Sequence, residues 1–296
     1  MAKEWKFNFL KTLQVGFSQL PKGCFGGIIC ILIAVQSLSA QVADTFLLQN
    51  TFASEAKFLV ADKLQQIYVV SPDQRLLKYN ADGKLLFDYS NRTLGQLSWV
   101  DVTDPFNVLL FFPDYQNLIF LDRTLNITGE MRLPINDFPN VTLVAMGRDN
   151  YVWLYDAVLF RLRKVGKEGE IIKESQDLSQ LFGRDTPTPS QLVTTDQAIY
   201  LVDTLRGLFQ FDLFGNFQKR FPEKNIRHLQ AIGGYLFYQK GEQSFFRNEY
   251  NQEVEIKGFP KKLNLFYLLP EILVGATGKS IQVYEFKKQT KKGTDK

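Results

Sequence analysis

One unit recurs six times in this chain: an apolar strand, a polar turn, a very hydrophobic strand, a second turn and another strand. It reads VADKLQQIYVVSPDQRLLKYNADGKLLFDY from Val60 to Tyr89 and returns as VTDPFNVLLFFPDYQNLIFLDRTLNITGEMRL from Val102 to Leu133. Further copies occupy Ala145–Glu174, Thr194–Phe221 and Ala231–Ile256, and the last, Leu268–Lys287, stops one strand short. The residue opening the first turn sets the register: Asp62, Asp104, Gly147, Asp196, Gly233 and Pro270, spaced 42, 43, 49, 37 and 37 residues apart. Gly83, Gly129, Gly169, Gly215 and Asn251 mark the later hairpin, where a positive φ is cheap for Gly or Asn.

Short strands rich in Ile, Val, Leu, Tyr and Phe between such turns predict an all-β chain. Four strands in roughly 40 residues is the spacing of a propeller blade, so six marks predict a six-bladed β-propeller over 41–287. Blade six lacks its outermost strand, while Thr45-Phe46-Leu47-Leu48 belongs to no blade. Pairing that strand onto blade six would close the ring and cover an exposed edge. Four residues before each mark stand Phe58, Val100, Leu143, Leu192, Leu229 and Phe266, a uniformly apolar ring that reads as packing between blades.

Such a strand must begin in solvent, which fits the first forty residues. Lys3, Lys6, Lys11 and Lys22 against one Glu4 precede the apolar run Cys24–Val35, and small polar residues lead to Ala40. This is the pattern of a secretory signal peptide over 1–40, cleaved between Ala40 and Gln41. As a membrane anchor the run would reach only ~18 Å, against a bilayer core of ~30 Å. Neither Cys24 nor Cys30 closes the apolar run as a lipidated cysteine would, and both leave with the signal. The expected product is an exported protein, periplasmic or secreted, without thiol chemistry or disulfides.

The charge changes accordingly. The whole chain is +4, but the signal carries four Lys and one Glu, and residues 287–296 carry five Lys and one Asp. The remainder has 26 basic and 29 acidic residues, so nothing in it points to nucleic acid. The stretch 288–296 reads as a basic, disordered tail.

The segments IYVVSPDQRLLKYNADGKLL and IYLVDTLRGLFQFDLFGNF resemble NHL-type repeats of six-bladed β-propellers. The likeness covers most of residues 45–287 and is best in the first and fourth copies. It implies the fold; activity it leaves open, because such propellers include lactonases, lyases, RNA binders and interaction modules. It also implies that the first strand of each blade begins at the face where ligands bind. Trp99, Asp101, Gln191, Arg227 and His228 are therefore the candidate binding mouth.

Lactonase-like relatives would hold a divalent cation there in a cage of oxygens. Only Asp101 qualifies by position. His228, the one histidine of the chain, has no acidic or nucleophilic companion at an identifiable spacing. Asp62, Asp104 and Asp196 sit where turns use Asp for backbone hydrogen bonds. The run Phe111-Phe112-Pro113-Asp114-Tyr115 either presents aromatics to a partner or is a buried strand ending in a turn with one exposed Tyr. No cofactor, catalytic residue or metal site is expected. The favoured reading is a monomeric, non-catalytic scaffold for a protein or polymer partner, plausible in a bacterial cell envelope. The alternative is a metal-dependent, lactonase-like hydrolase or lyase at the channel mouth.

Overall fold

The computed structural model describes residues 45–147, 149–248 and 250–287. The expected signal segment 1–40, its expected cleavage site between Ala40 and Gln41 and the expected tail 288–296 lie outside them. Strand β1 (Thr45–Ala53) comes first. Blade one is β2 (Phe58–Ala61), β3 (Ile67–Val70), β4 (Arg75–Tyr79) and β5 (Leu85–Ser90); blade two is β6 (Trp99–Asp101), β7 (Val108–Phe112), β8 (Asn117–Leu121) and β9 (Ile127–Arg132). Blade three is β10 (Val141–Met146), β11 (Val152–Asp156), β12 (Arg161–Val165) and β13 (Ile171–Glu174). A short helix α1 (Leu178–Phe182) leads from it to blade four, β14 (Gln191–Thr194), β15 (Ile199–Asp203), β16 (Gly207–Phe211) and β17 (Phe217–Phe221). Blade five is β18 (Ile226–Ile232), β19 (Tyr235–Lys240), β20 (Gln243–Arg247) and β21 (Glu253–Ile256), and the last three strands are β22 (Leu265–Leu268), β23 (Ile272–Thr277) and β24 (Ser280–Lys287).

Five sheets are antiparallel meanders in sequence order, and the sixth runs β22-β23-β24-β1. All six are therefore four-stranded, and the all-β, six-bladed propeller is the fold of residues 45–287. In the sixth sheet β1 pairs antiparallel with β24 from Thr45 opposite Lys287 to Ala53 opposite Ser280. Among the described residues no helix is long and apolar enough to cross a membrane.

The continuous apolar runs are explained by where each face goes. In a strand, successive side chains point to opposite faces. In β7, Val108, Leu110 and Phe112 pack with blade one, while Leu109 and Phe111 pack with blade three. Each sheet is thus covered on both faces, and a strand covered on both faces reads as an unbroken apolar run. The core is six wedges, one between each adjacent pair of blades. Each buried Leu, Val or Phe in them contributes about 1.5–3 kcal/mol. The wedge between blades five and six is aromatic: Phe237 and Phe259 both meet the Phe266 ring, at 5.7 and 5.0 Å. The apolar ring of inner-strand residues does pack between blades, with Val100, Leu192, Leu229 and Phe266 buried in four different wedges.

The outer hairpins repeat one turn. In blades one to five the first residue of the turn (Asn80, Asp122, Gly166, Asp212, Asn248) accepts at its carbonyl from the N–H three residues on, at 3.0–3.1 Å. That third residue is Gly83, Leu125, Gly169, Gly215 or Asn251, each at a positive φ. The structure corrects one mark here: Gly129 lies inside β9, and the left-handed position of blade two is Leu125, with φ 64°. Leu125 is buried in the wedge between blades one and two, so packing offsets its backbone strain. Asp122 opens this turn, and its carboxyl is held down to about 2 by the Thr124 hydroxyl and the Asn126 N–H.

Two glycines in this turn separate strain from space. Gly83 and Gly169 have nearly equal φ, 81° and 84°. A Cβ on Gly83 would stand 2.6 Å from the Phe52 ring of β1, whereas on Gly169 it would meet only Met131 Cγ at 3.9 Å. Gly169→Ala should cost about 1 kcal/mol from backbone strain alone. Gly83→Ala should cost about 1–3 kcal/mol more, because the Phe52 ring must move as well. Urea denaturation midpoints of the two variants check this; equal losses would mean that Phe52 yields freely.

Candidate functional site

The inner strands β2, β6, β10, β14, β18 and β22 line the axis. The cavity at their starting end, about 270 Å³, is bounded by Phe58, Ser98, Trp99, Thr142, Leu143 and Leu192, among others. A second cavity, about 220 Å³, lies at the opposite end between blades three and four, where Gly147, Asp149, Thr194 and Asp196 meet. The starting residues of four inner strands share the first cavity, so those strands run in one direction and their starts form one mouth.

The five sequence-predicted mouth residues divide into two groups. Trp99 lines the cavity, its ring 5.3 Å from that of Phe58 and its indole Nε1 buried without a hydrogen-bond partner. Arg227 is exposed. His228 is half-buried beside it, at φ 52° in a bulge of β18, with its ring 4.8 Å from Phe266. Burial, and then the Arg227 charge, push its pKa below the usual histidine value, so the imidazole is neutral at pH 7.

Asp101 and Gln191 are occupied otherwise. Asp101 accepts from its own Thr103 N–H at 2.9 Å and, with the second oxygen, from the Met146 N–H of blade three at 2.8 Å. Gln191 accepts from the Leu229 N–H of blade five at 3.0 Å and donates to the Leu229 carbonyl at 2.7 Å. Two further residues do the same work. Gln230 accepts from the Leu268 N–H of blade six at 3.0 Å, and Thr194 donates to the Met146 carbonyl at 2.6 Å. These four polar side chains of the inner strands thus tie blades two to six, each to the backbone of a neighbouring blade. Among the described residues no three His, Cys, Asp or Glu side chains converge as a metal site would require.

The turn aspartates behave as their positions imply. Asp62 accepts from the Leu64 and Gln66 N–H groups at 2.8 and 3.0 Å and from the Tyr68 hydroxyl at 3.0 Å. Asp104 accepts from the Phe106 N–H at 3.1 Å. Phe111 and Phe112 are buried and Tyr115 is exposed, so that run is a strand ending in a turn with one exposed Tyr. Burial first, and then the Asp101 and Asp62 charges, push the Tyr267 phenol above its ordinary value; it is un-ionised.

One charged cluster escaped the sequence reading. Arg247, only 4% exposed, pairs with Glu223 at 2.7 Å and Glu253 at 3.0 Å, and lies over the Phe221 and Tyr238 rings. Its Nε and Nη1 are buried without partners. An arginine at an inward position of an apolar strand, after Phe245-Phe246, was the available signal. Its partners lie in three different segments, which spacing does not reveal.

The chain matches no protein-family model and no curated protein. By structure it is similar to a catalytically inactive histidine-to-alanine variant of virginiamycin B lyase from Staphylococcus aureus, determined with quinupristin (TM-score 0.60, 12% identity, covering 81% of this chain and 99% of that one). It is also similar to a protein of unknown function from Bacteroides thetaiotaomicron (0.59, 12%, 82% and 72%). A third is the WD40 domain of Pan2 from Neurospora crassa (0.56, 10%, 84% and 97%). Likeness at such identities is one of fold.

Two predictions concern the ties and the cluster. Gln191→Leu leaves the Leu229 N–H and carbonyl unpaired, and should lower stability by about 1–3 kcal/mol, read from a denaturation midpoint. In the cluster, burial raises the Glu253 carboxyl, but hydrogen bonds from Tyr238, Lys240 and Arg247 outweigh it and hold the pKa below the usual value. A depressed folded pKa contributes stability above the unfolded value, about 4.3, that is lost as pH falls through the folded one. Glu253→Gln should therefore flatten the acid limb of the stability profile below that pH, while a parallel limb would remove Glu253 from the network's electrostatics.

Proposed function

We propose that the mature chain is an exported, non-catalytic propeller of the NHL-like kind, closed by its N-terminal strand, that holds a protein or polymer partner in the cell envelope. The observation that carries this reading is the use of the inner-strand polar groups. Asp101, Gln191, Thr194 and Gln230 bind backbone of neighbouring blades, so the channel wall spends its chemistry on holding the ring. A rigid ring whose loops are free to vary suits recognition. The pairing of β1 with β24 from Thr45 onward accords with a chain that starts near Gln41. Trp99, Arg227 and His228 remain the mouth residues with groups left for a ligand.

A second reading, a hydrolase or lyase at the same mouth, rests on His228: a strained, neutral, half-buried imidazole beside the channel. Strained residues gather at functional sites. Against it, the charged group that acts on that ring among the described residues is the Arg227 cation, not a carboxylate.

The scaffold reading expects a specific partner in affinity purification from the native envelope, retained in the presence of a chelator. Recovery of none would sink it, and stoichiometric calcium or zinc in the purified protein would favour the enzyme. N-terminal sequencing of the cell's own product should begin at Gln41; a retained segment 1–40 would overturn the export step.

A further inference from the structure

The loop between the second and third strands of each blade opens on the same side as the mouth, because Trp99 at the start of β6 pairs opposite Phe111 near the end of β7. In three consecutive blades this loop carries an exposed apolar side chain: Tyr115 at 56%, Val158 at 55% and Leu205 at 67%. The equivalent loops of blades five and six carry Glu242 and Lys279. The backbone of the loops is held without those side chains. Asp156 accepts from the Val158 and Leu159 N–H groups, and Asp203 from those of Leu205 and Arg206, all at 2.8–3.0 Å. Any residue fits such a turn at the exposed position, so water-facing Val and Leu there serve nothing in the fold. Ile135, 73% exposed on the connection between blades two and three, adds to the same arc.

Toward blades four and five the spare charge on this side is basic, whereas Asp114 beside Tyr115 and Asp137 near Ile135 are exposed carboxylates at the other end of the arc. On the connections into blades four and five, Asp177 caps α1, Asp185 pairs with Arg220 and Glu223 pairs with Arg247. Arg184 and Lys224 on those connections and Arg227 at the start of β18 are exposed, and none is in an ion pair among the described residues. The Asn225 N–H, next to Lys224, donates to the Thr204 carbonyl, next to Leu205, so this basic group flanks the apolar tip of blade four. Exposed apolar residues on the opposite side, such as Leu64, Phe106 and Phe214, follow Asp62, Asp104 and Asp212 in their turns; there Lys63 adjoins Leu64 and Lys173 lies over the Phe214 ring, so each basic group stands alone beside its own tip.

We infer that the loops of blades two to four on the mouth side bind a segment of a partner protein that carries apolar side chains between acidic ones. Apolar tips would bury against the former, and Arg184, Lys224 and Arg227 would meet the latter. The inference rests on the scaffold reading and specifies its surface.

A random dodecapeptide library, selected on the tagged full chain purified from its own cells, tests it. Selected peptides should combine Leu, Ile, Phe or Trp with Asp or Glu. Tyr115→Ser/Val158→Ser/Leu205→Ser should weaken their binding by about tenfold or more while leaving the melting temperature unchanged. Arg184→Gln/Lys224→Gln/Arg227→Gln should weaken it at low salt and remove most of its salt dependence. Leu64→Ser/Phe106→Ser/Phe214→Ser should change nothing. Peptides indifferent to the first two variants, or sensitive to the third, would overturn the assignment. So would an absence of peptides together with binding to phosphatidylglycerol vesicles that the same residues support, which would make the surface a membrane contact. A specific envelope partner that binds the serine variant as well as the wild type would leave the scaffold reading standing and remove this surface from it. Recovery of no partner would remove both.

Discussion

Everything in this molecule depends on sheets that are apolar on both faces. A four-stranded sheet with one apolar face needs one neighbour; a sheet with two needs a neighbour on each side, and the sixth sheet must then meet the first. Strands such as Val108–Phe112, buried from end to end, leave no face for water. Six wedges follow, large from blade one to blade three, smaller and richer in aromatics between blades five and six, and each blade contributes to two of them. Stability is distributed around the ring, with about 1.5–3 kcal/mol from each large buried side chain and no single dominant centre.

The wedges leave the axis as the place where inner-strand polar groups must be satisfied. Here that need is met between blades, by side chains that reach the backbone of a neighbouring inner strand. Asp101, Gln191, Thr194 and Gln230 do so at 2.6–3.0 Å. A buried backbone group left unpaired costs about 1–3 kcal/mol, so these ties fix the register of neighbouring blades as well as stabilise it. The bulge that lifts His228 to a positive φ sits next to Leu229, whose N–H donates to Gln191 and whose carbonyl accepts from it. Strain at His228 and the tie at Leu229 belong to one local arrangement of β18.

Much of this was legible in the sequence because it is local. Strand, turn and strand recur every 37 to 49 residues, and the blade count followed from marks such as Asp62 and Asp104. The outer hairpin shows the limit. Glycine at positive φ is a strong signal where glycine is present, but blade two places Leu125 there and lets burial hold it. The nearby Gly129 drew the mark four residues too far. The channel shows a different limit. Asp101 and Gln191 stand at ligand-like positions, and only the neighbouring strand, some 40 residues away in sequence, reveals that their polar atoms are engaged. Arg247 was hidden for the same reason, since Glu223 and Glu253 reach it from flanking segments and no spacing announces them.

The division between ties and tips separates what the ring requires from what it leaves free. Asp101, Gln191, Thr194 and Gln230 cannot change without unpairing a neighbour's backbone, and wedge residues cannot be shortened without opening a cavity. Turn aspartates such as Asp156 and Asp203 fix the loop backbone by accepting from the N–H groups two and three residues on. The side chain two residues after each of them then carries no structural duty. In this chain those positions are Val158 and Leu205, where solvent alone would favour polar residues. An apolar choice repeated at unconstrained positions of adjacent blades therefore points outward, to something these loops meet, rather than inward to the fold.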